Sequence, residues 1–289
     1  GPAGIGWLFA FIATAVQALS PSSVRHFFAE LDLKDRMLAR FAWLLVLSVP
    51  LFAIAGVLNP PAANAVNAWI KPIKFAVSFA TFVWTVTLFL QVLVIPAWQR
   101  QLARYTMLGS VIVEMLSLAA QAWRASAMHP SAIDFWITQA TTAMVSVNTC
   151  LTIWLLGVFF GGRDRINIGD AAQVMAIRLS IIIFLLGNAI GGYMLARGAH
   201  TVGATDGGPG LPFVNWSVIA GDLRIAHFIA IHAIQLLPLF AWLLWQMGPR
   251  PSSKARRIAV YVAAMALTIV VGGTFVQAAL GHPLIALAR

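Results

Sequence analysis

The residues of this chain best suited to chemistry are its histidines and a few charges set beside long apolar runs. His129, His200, His227 and His232 offer imidazole nitrogens, and Asp222 adds a carboxylate. Imidazole is the commonest metal ligand in proteins, and a haem needs only one or two axial histidines. His227 and His232 are the candidate haem ligands. They are five residues apart, so on one helix they point about 140° away from each other. That is not the i, i+4 pair of a helical zinc motif. A mononuclear metal would therefore need ligands from other segments, with His129, His200, Asp134 and Asp222 as candidates. The expected cofactor is a haem or a transition metal. Lys74, Glu114, Asp134 and Arg224 are the candidate catalytic groups. A neutral, titratable carboxyl in a polar cavity can carry a proton or act as a general acid, and Lys74 is a plausible partner for Glu114 or Asp134.

These side chains have to be positioned by hydrophobic helices. The 289 residues are 60% hydrophobic and 10% charged, with mean hydropathy +0.85, against about 25% charged in a soluble domain. Apolar blocks near the length of a bilayer crossing fall at 41–58, 72–95, 105–123, 133–160, 174–196, 223–246 and 258–280. Only helices or closed barrels satisfy their backbone inside lipid, and these runs lack the period-2 alternation of barrel strands. The expected fold is an all-α polytopic transmembrane bundle of seven spans, with residues 41–289 forming it. Residues 1–40 form an N-terminal region. Within it, 5–19 is a short apolar segment that spans, lies at the interface or is the remnant of a signal-like segment, and 25–40 reads as a solvated helix at the membrane surface.

Helical spacing places the polar groups on faces. Lys71, Lys74, Ser78, Thr81 and Thr85 follow steps of three and four and make one stripe. Asp134, Thr138 and Thr141 begin another, which Asn148 and Thr152 resume. Glu114 lies near the middle of the third span, with Arg124 about 15 Å further along that helix. Asp222, Arg224, His227, His232 and Gln235 crowd the start of the sixth span, and Pro238 follows, where a missing N–H permits a kink. These polar faces deepen from one end of the bundle, and ionisable groups near hydrocarbon usually face a partner, water or the bundle interior. A polar cavity at that end is the expected site. The loop 197–222, rich in glycine and proline, is expected to cap it.

The net charge of +10 points to membrane rather than nucleic acid. With the loops alternating sides, thirteen of the 19 Lys and Arg residues fall on one side and six on the other. By the positive-inside rule the first side is cytoplasmic. The polar end and the C-terminus are then extracytoplasmic. The lone Cys150 excludes intrachain disulfides and thiolate clusters. There is no lysine in the seventh span for a retinal Schiff base, no Walker loop and no Cys-x-x-Cys. Gly187-x-x-x-Gly191, Gly192 and Gly272-Gly273 are expected to allow close helix packing.

The stretches Trp69-Ile-Lys-Pro-Ile-Lys-Phe-Ala-Val-Ser, 203–212 and Gly221-Asp-Leu-Arg-Ile-Ala-His-Phe-Ile-Ala-Ile-His-Ala-Ile-Gln, with 114–129 between them, resemble those of an uncharacterised family of bacterial multi-pass membrane proteins. The resemblance implies a bacterial inner-membrane location and carries over no activity and no catalytic residue. The expectation is a membrane-embedded enzyme or redox protein, contacting lipid and taking a small-molecule ligand. A proton-coupled carrier using the same cavity, or a structural subunit of a membrane complex, are the alternatives.

Overall fold

A computed structural model describes residues 2–59, 67–125, 132–248 and 251–286. His129 lies outside the described residues, as do the side chains of Asp134 and Arg163. Ten α-helices occur among the described residues: α1 (Pro2–Ala18), α2 (Pro21–Lys34), α3 (Arg36–Leu58), α4 (Ile70–Val92), α5 (Ala97–Ala125), α6 (Ala132–Phe160), α7 (Ala171–Arg197), α8 (Leu223–Ile231), α9 (Ala233–Gln246) and α10 (Ser253–Ala279). Between α7 and α8 a two-residue strand β1 (Thr201–Val202) pairs antiparallel with β2 (Gly221–Asp222).

This is an all-helical, multi-pass membrane protein. Six helices are long and apolar enough to cross a membrane: Arg36–Leu58, Ile70–Val92, Ala97–Arg124, Phe135–Phe160, Ala171–Arg197 and Ser253–Ala279. The expected sixth span, 223–246, is not one continuous helix. It is α8 and α9, bent by 42° at His232. The break falls above Pro238 rather than at it. A proline ring crowds the carbonyl four residues back, here that of Ile234 in the first turn of α9, next to the break. Segment 25–40 also differs from the single surface helix expected. It divides at Asp35, whose carboxylate accepts from the Leu38 N–H (3.2 Å) and starts α3. The preceding helix, α2, docks through Phe28 on Trp43 of α3 and Trp84 of α4.

Two apolar cores share α7. One joins α3, α4, α5 and α6 to Val174, Ile177 and Ile181. The other joins Ala172, Ala176, Ile183 and Ile190 to α8, α9 and α10. A helix with apolar residues all round suits that central place. Where α7 meets α8 the chain uses glycine. A Cβ at Gly187 would lie 2.9 Å from the Ala230 Cβ and 3.0 Å from the Ile231 nitrogen, and one at Gly191 would lie 2.9 Å from the His227 Cε1.

At the end where α3, α5, α7 and α10 begin, the basic residues tie helix ends together. Arg104 bonds Asp35 (2.8 Å), Arg256 pairs with Asp170 (2.8 Å), and Arg178 donates to the Phe159 carbonyl (2.9 Å). Arg100 donates to the Leu90 and Leu93 carbonyls, satisfying acceptors that α4 leaves open at its C-terminus. The opposite end is closed by the loop after α7.

The glycine contact gives a test with an internal control. Gly187→Val should lower the thermal stability of the detergent-solubilised protein by about 1–3 kcal/mol, the usual cost of overpacking. Gly192→Ala, where a Cβ meets nothing within 4 Å, should leave the melting curve in place.

Candidate functional site

The loop between α7 and α8, called the cap below, is built from turns and the short β1–β2 pair. Asp222 organises it. Its carboxylate is 1% exposed as a residue and accepts from the Ser217 N–H (2.8 Å), the Arg224 N–H (3.0 Å), Arg224 Nε (2.9 Å) and Arg224 Nη2 (2.7 Å). It thereby caps the N-terminus of α8, where an acceptor is needed, and grips the arginine one step into the helix. In β pairing, Asp222 lies opposite Thr201. His200, just before β1, has Nδ1 3.2 Å from Thr201 Oγ1, 3.3 Å from Asp206 Oδ1 and 3.9 Å from Asp222 Oδ1. Asp206 in turn accepts from the His200 and Thr201 N–H groups (3.2 and 2.8 Å). Gly221 is held so close to the end of α10 that a Cβ would overlap the Ala278 carbonyl.

Lys74 reaches this cap from the first turns of α4. Its Nζ donates to the Val214 carbonyl at 3.4 Å. Arg224 Nη2 donates to the next carbonyl, that of Asn215. Lys71, one turn before Lys74, is exposed and acts electrostatically on His200. Lys71, Lys74, His200, Asp222 and Arg224 thus come together at one end, drawn from α4, the cap and α8.

Burial pushes the His200 imidazole below its ordinary value, and Arg224 and Lys71 add to this against the pull of Asp206 and Asp222. Burial pushes Asp222 up, but the Arg224 side chain and the Ser217 N–H outweigh it and hold the carboxyl below its ordinary value. Asp206 is also lowered, because bonds from Thr201 and His200 outweigh its slight burial.

Other predicted residues sit elsewhere. Glu114 does not meet Lys74. It is 2% exposed, between α5 and α6, and accepts from Asn148 Nδ2 (2.8 Å). The Asn148 Oδ1 lies 2.8 Å from Ser110 Oγ, and Thr152 Oγ1 donates to the Asn148 carbonyl. Depth explains the separation. Glu114 is about 16 Å down α5 from its Arg124 end, whereas Lys74 is about 6 Å down α4. Asp134 lies in the first turn of α6. His227 turns into the α7 contact, its Nδ1 2.8 Å from the Gly187 carbonyl. His232 lies at the helix break with its ring edge-on to Phe228, 4.4 Å between centroids. Next to it, Gln235 buries Oε1 without a hydrogen-bond partner.

Of the predicted metal set, His200, His227, His232 and Asp222 lie among the described residues and His129 does not. Among the described residues no three His, Cys, Asp or Glu side chains converge to hold an ion. Asp222 has both oxygens committed to N–H donors, and His227 and His232 face different neighbours. A haem ligand is a lesser demand. For His227, the Nδ1 bond to the Gly187 carbonyl is the kind of contact that orients an imidazole.

No known family, curated protein or solved structure matches the chain. The site therefore has to be read from its own chemistry.

Sequence reasoning found Lys74, His200, Asp222 and Arg224 but missed their acceptors. The Val214 and Asn215 carbonyls carry no side-chain signal. Asn148 was visible on the α6 stripe, though not as the partner of Glu114.

The cap should loosen with acid in two stages. A lowered folded-state value means that His200 contributes fully above the ordinary histidine value of about 6.5 and less as pH falls toward its folded value. Asp206 and Asp222 contribute fully above about 4, and their share is lost as pH falls through their lower folded values. Amide protection across 198–222, relative to the intrinsic exchange rate at each pH, should fall first below about pH 6.5 and again below about pH 4. His200→Gln should abolish the first stage alone. A single transition in both proteins would contradict this assignment.

Proposed function

We propose that this chain is an integral membrane enzyme of the bacterial inner membrane, working on a small-molecule ligand at the capped end. In this reading the bent α8–α9 pair is a seventh span and α1 is a short additional hydrophobic segment. The capped end and the C-terminus are extracytoplasmic. The observation that carries the reading is the contrast between the two ends. At the Asp35 end, Arg100, Arg104, Arg178 and Arg256 are each tied to a helix end or a carboxylate. At the capped end, Lys74 has only a long bond to a carbonyl and Lys71 is exposed, beside a histidine whose ordinary value lies near neutrality. Lys74 and Arg224 would hold a charged group of the ligand, and His200 would take or give a proton. Glu114, bonded to Asn148 below, would serve as a deeper proton store for the same site, with Asp134 at the mouth of α6.

One observation favours a redox version. His227 is oriented by the Gly187 carbonyl at 2.8 Å, as an axial haem ligand would be. Haem would supply one-electron chemistry, and this chain's part would be to fix the imidazole plane through Gly187 and Gly191. An absorption spectrum of the purified protein tests it. A Soret band that His227→Ala removes and His26→Ala keeps is the expected result. A colourless parent protein leaves the capped-end reading alone.

The orientation is tested separately. The thirteen-to-six distribution of basic residues leads us to expect that a cysteine at Gly207, in a Cys150→Ala background, reacts with an impermeant thiol reagent in intact cells. A cysteine at Ser253 should not. The reverse pattern would invert the protein in the membrane.

A further inference from the structure

The turn that covers the cations is itself under strain. Leu211 and Trp216 close it, with the Leu211 N–H donating to the Trp216 carbonyl (2.8 Å) and the Asn215 N–H to the Leu211 carbonyl (2.8 Å). Within it the Val214 N–H donates to the Pro212 carbonyl (2.7 Å), a three-residue turn centred on Phe213. Phe213 has φ 64° and Asn215 has φ 56°, and they alone among the described non-glycine residues have positive φ. That backbone region is unusual for an asparagine and costly for a phenylalanine. Phe213 gains little from burial in return, being 57% exposed. What the conformation achieves is to aim two successive carbonyls, of Val214 and Asn215, at Lys74 Nζ and Arg224 Nη2.

A neutral carbonyl is a weak partner for a partly buried cation. A charged oxygen makes a hydrogen bond roughly twice as strong. At 3.4 Å the Lys74 bond is also longer than the usual range for N–H···O. Lys71 and Lys74 present two cations with no carboxylate partner among the described residues, while Arg224 is already paired with Asp222 through Nε and Nη2 and turns a further Nη2 N–H to the Asn215 carbonyl. Asp206 is engaged by His200 and Thr201. We propose that the 211–216 turn is a displaceable plug on an oxyanion site, its Val214 and Asn215 carbonyls standing where two oxygens of a phosphate or carboxylate would bind Lys74 and Arg224, with Lys71 at the rim. This rests on the capped end being the functional end. It adds the ligand class and a device that keeps the site shut until an anion competes for it. The oxyanion comes either from a dissolved molecule or from a lipid headgroup, since the site lies at an end of the bundle.

Trp216, at the foot of the turn and edge-on to Phe228 (5.7 Å), reports the displacement. The protein is placed in phosphatidylcholine nanodiscs and titrated with inorganic phosphate, and separately placed in phosphatidylglycerol nanodiscs without phosphate. A Trp216→Phe variant identifies the part of the fluorescence change that belongs to this residue. A change with free phosphate assigns a dissolved ligand, and a change with phosphatidylglycerol alone assigns a headgroup. Either supports the site. Lys71→Gln and Lys74→Gln should each weaken the response at least about tenfold, while Arg257→Gln at the opposite end should not. Lys71 is exposed and has no ion pair among the described residues, and the melting curve of Lys71→Gln, expected to match the parent, separates loss of binding from misfolding. The turn variants should move in opposite directions. Phe213→Gly accepts positive φ without strain, steadies the plug and should raise the half-saturating phosphate about fivefold. Asn215→Val, β-branched at positive φ, should lower it. No response in either nanodisc, or one that survives both lysine substitutions, overturns the oxyanion site and leaves the capped-end reading, which is not tied to phosphate. A lysine-dependent response that ignores Phe213→Gly and Asn215→Val overturns the plug alone.

Discussion

The Asp222 carboxylate is the point on which the capped end depends. An ionised carboxylate removed from water is costly unless its oxygens are filled with donors. Here two come from backbone N–H groups and two from one guanidinium. Each bond fixes a different part of the structure. The Arg224 N–H makes Asp222 the cap of α8, the Ser217 N–H holds the descending half of the loop, and the side chain of Arg224 is locked so that its remaining donor reaches the Asn215 carbonyl. The pairing of Asp222 with Thr201 then brings His200 and Asp206 to the same place.

That arrangement requires α7, α8 and α10 to approach closely, and small residues permit it. Gly187 and Gly191 let α8 lie against α7, and Gly221 lets the cap touch the end of α10. Without a hydrophobic drive between helices in lipid, close backbone approach and a few interhelical hydrogen bonds supply much of the association. The His227 bond to the Gly187 carbonyl is one of these. The Glu114–Asn148 bond does the same between α5 and α6. His227 is held against α7 in this way, its ring packed over Gly191.

The two ends of the bundle use basic residues differently. At the Asp35 end they saturate carbonyls and carboxylates left open by helix termini, so their charge is largely spent on structure. At the capped end Lys71 and Lys74 sit on the polar stripe of α4, where Lys74 meets the Val214 carbonyl and Lys71 is exposed. A cation partnered by a carbonyl is satisfied but not neutralised. This difference, more than the number of histidines, is what the proposed ligand site at the capped end rests on.

The sequence alone was enough to determine that this is an all-helical membrane protein, because apolar blocks of bilayer length leave the backbone no other way to satisfy itself in lipid. It also located the polar residues at one end, since helical spacing and loop alternation are fixed by local geometry. The glycine spacing on α7 and the turn-rich cap were legible for the same reason. Other features depended on how the helices meet. The break at His232 lies away from Pro238, the residue that signalled it, and Asp35, which caps α3 locally, also meets Arg104, distant in sequence. Glu114 found Asn148 rather than Lys74 because depth along neighbouring helices, not residue type, decides which charges can touch. The acceptors of Lys74 and Arg224 are backbone carbonyls aimed by positive φ at Phe213 and Asn215. Backbone groups are the same in every residue, so only the tertiary structure could reveal which of them the cations would find.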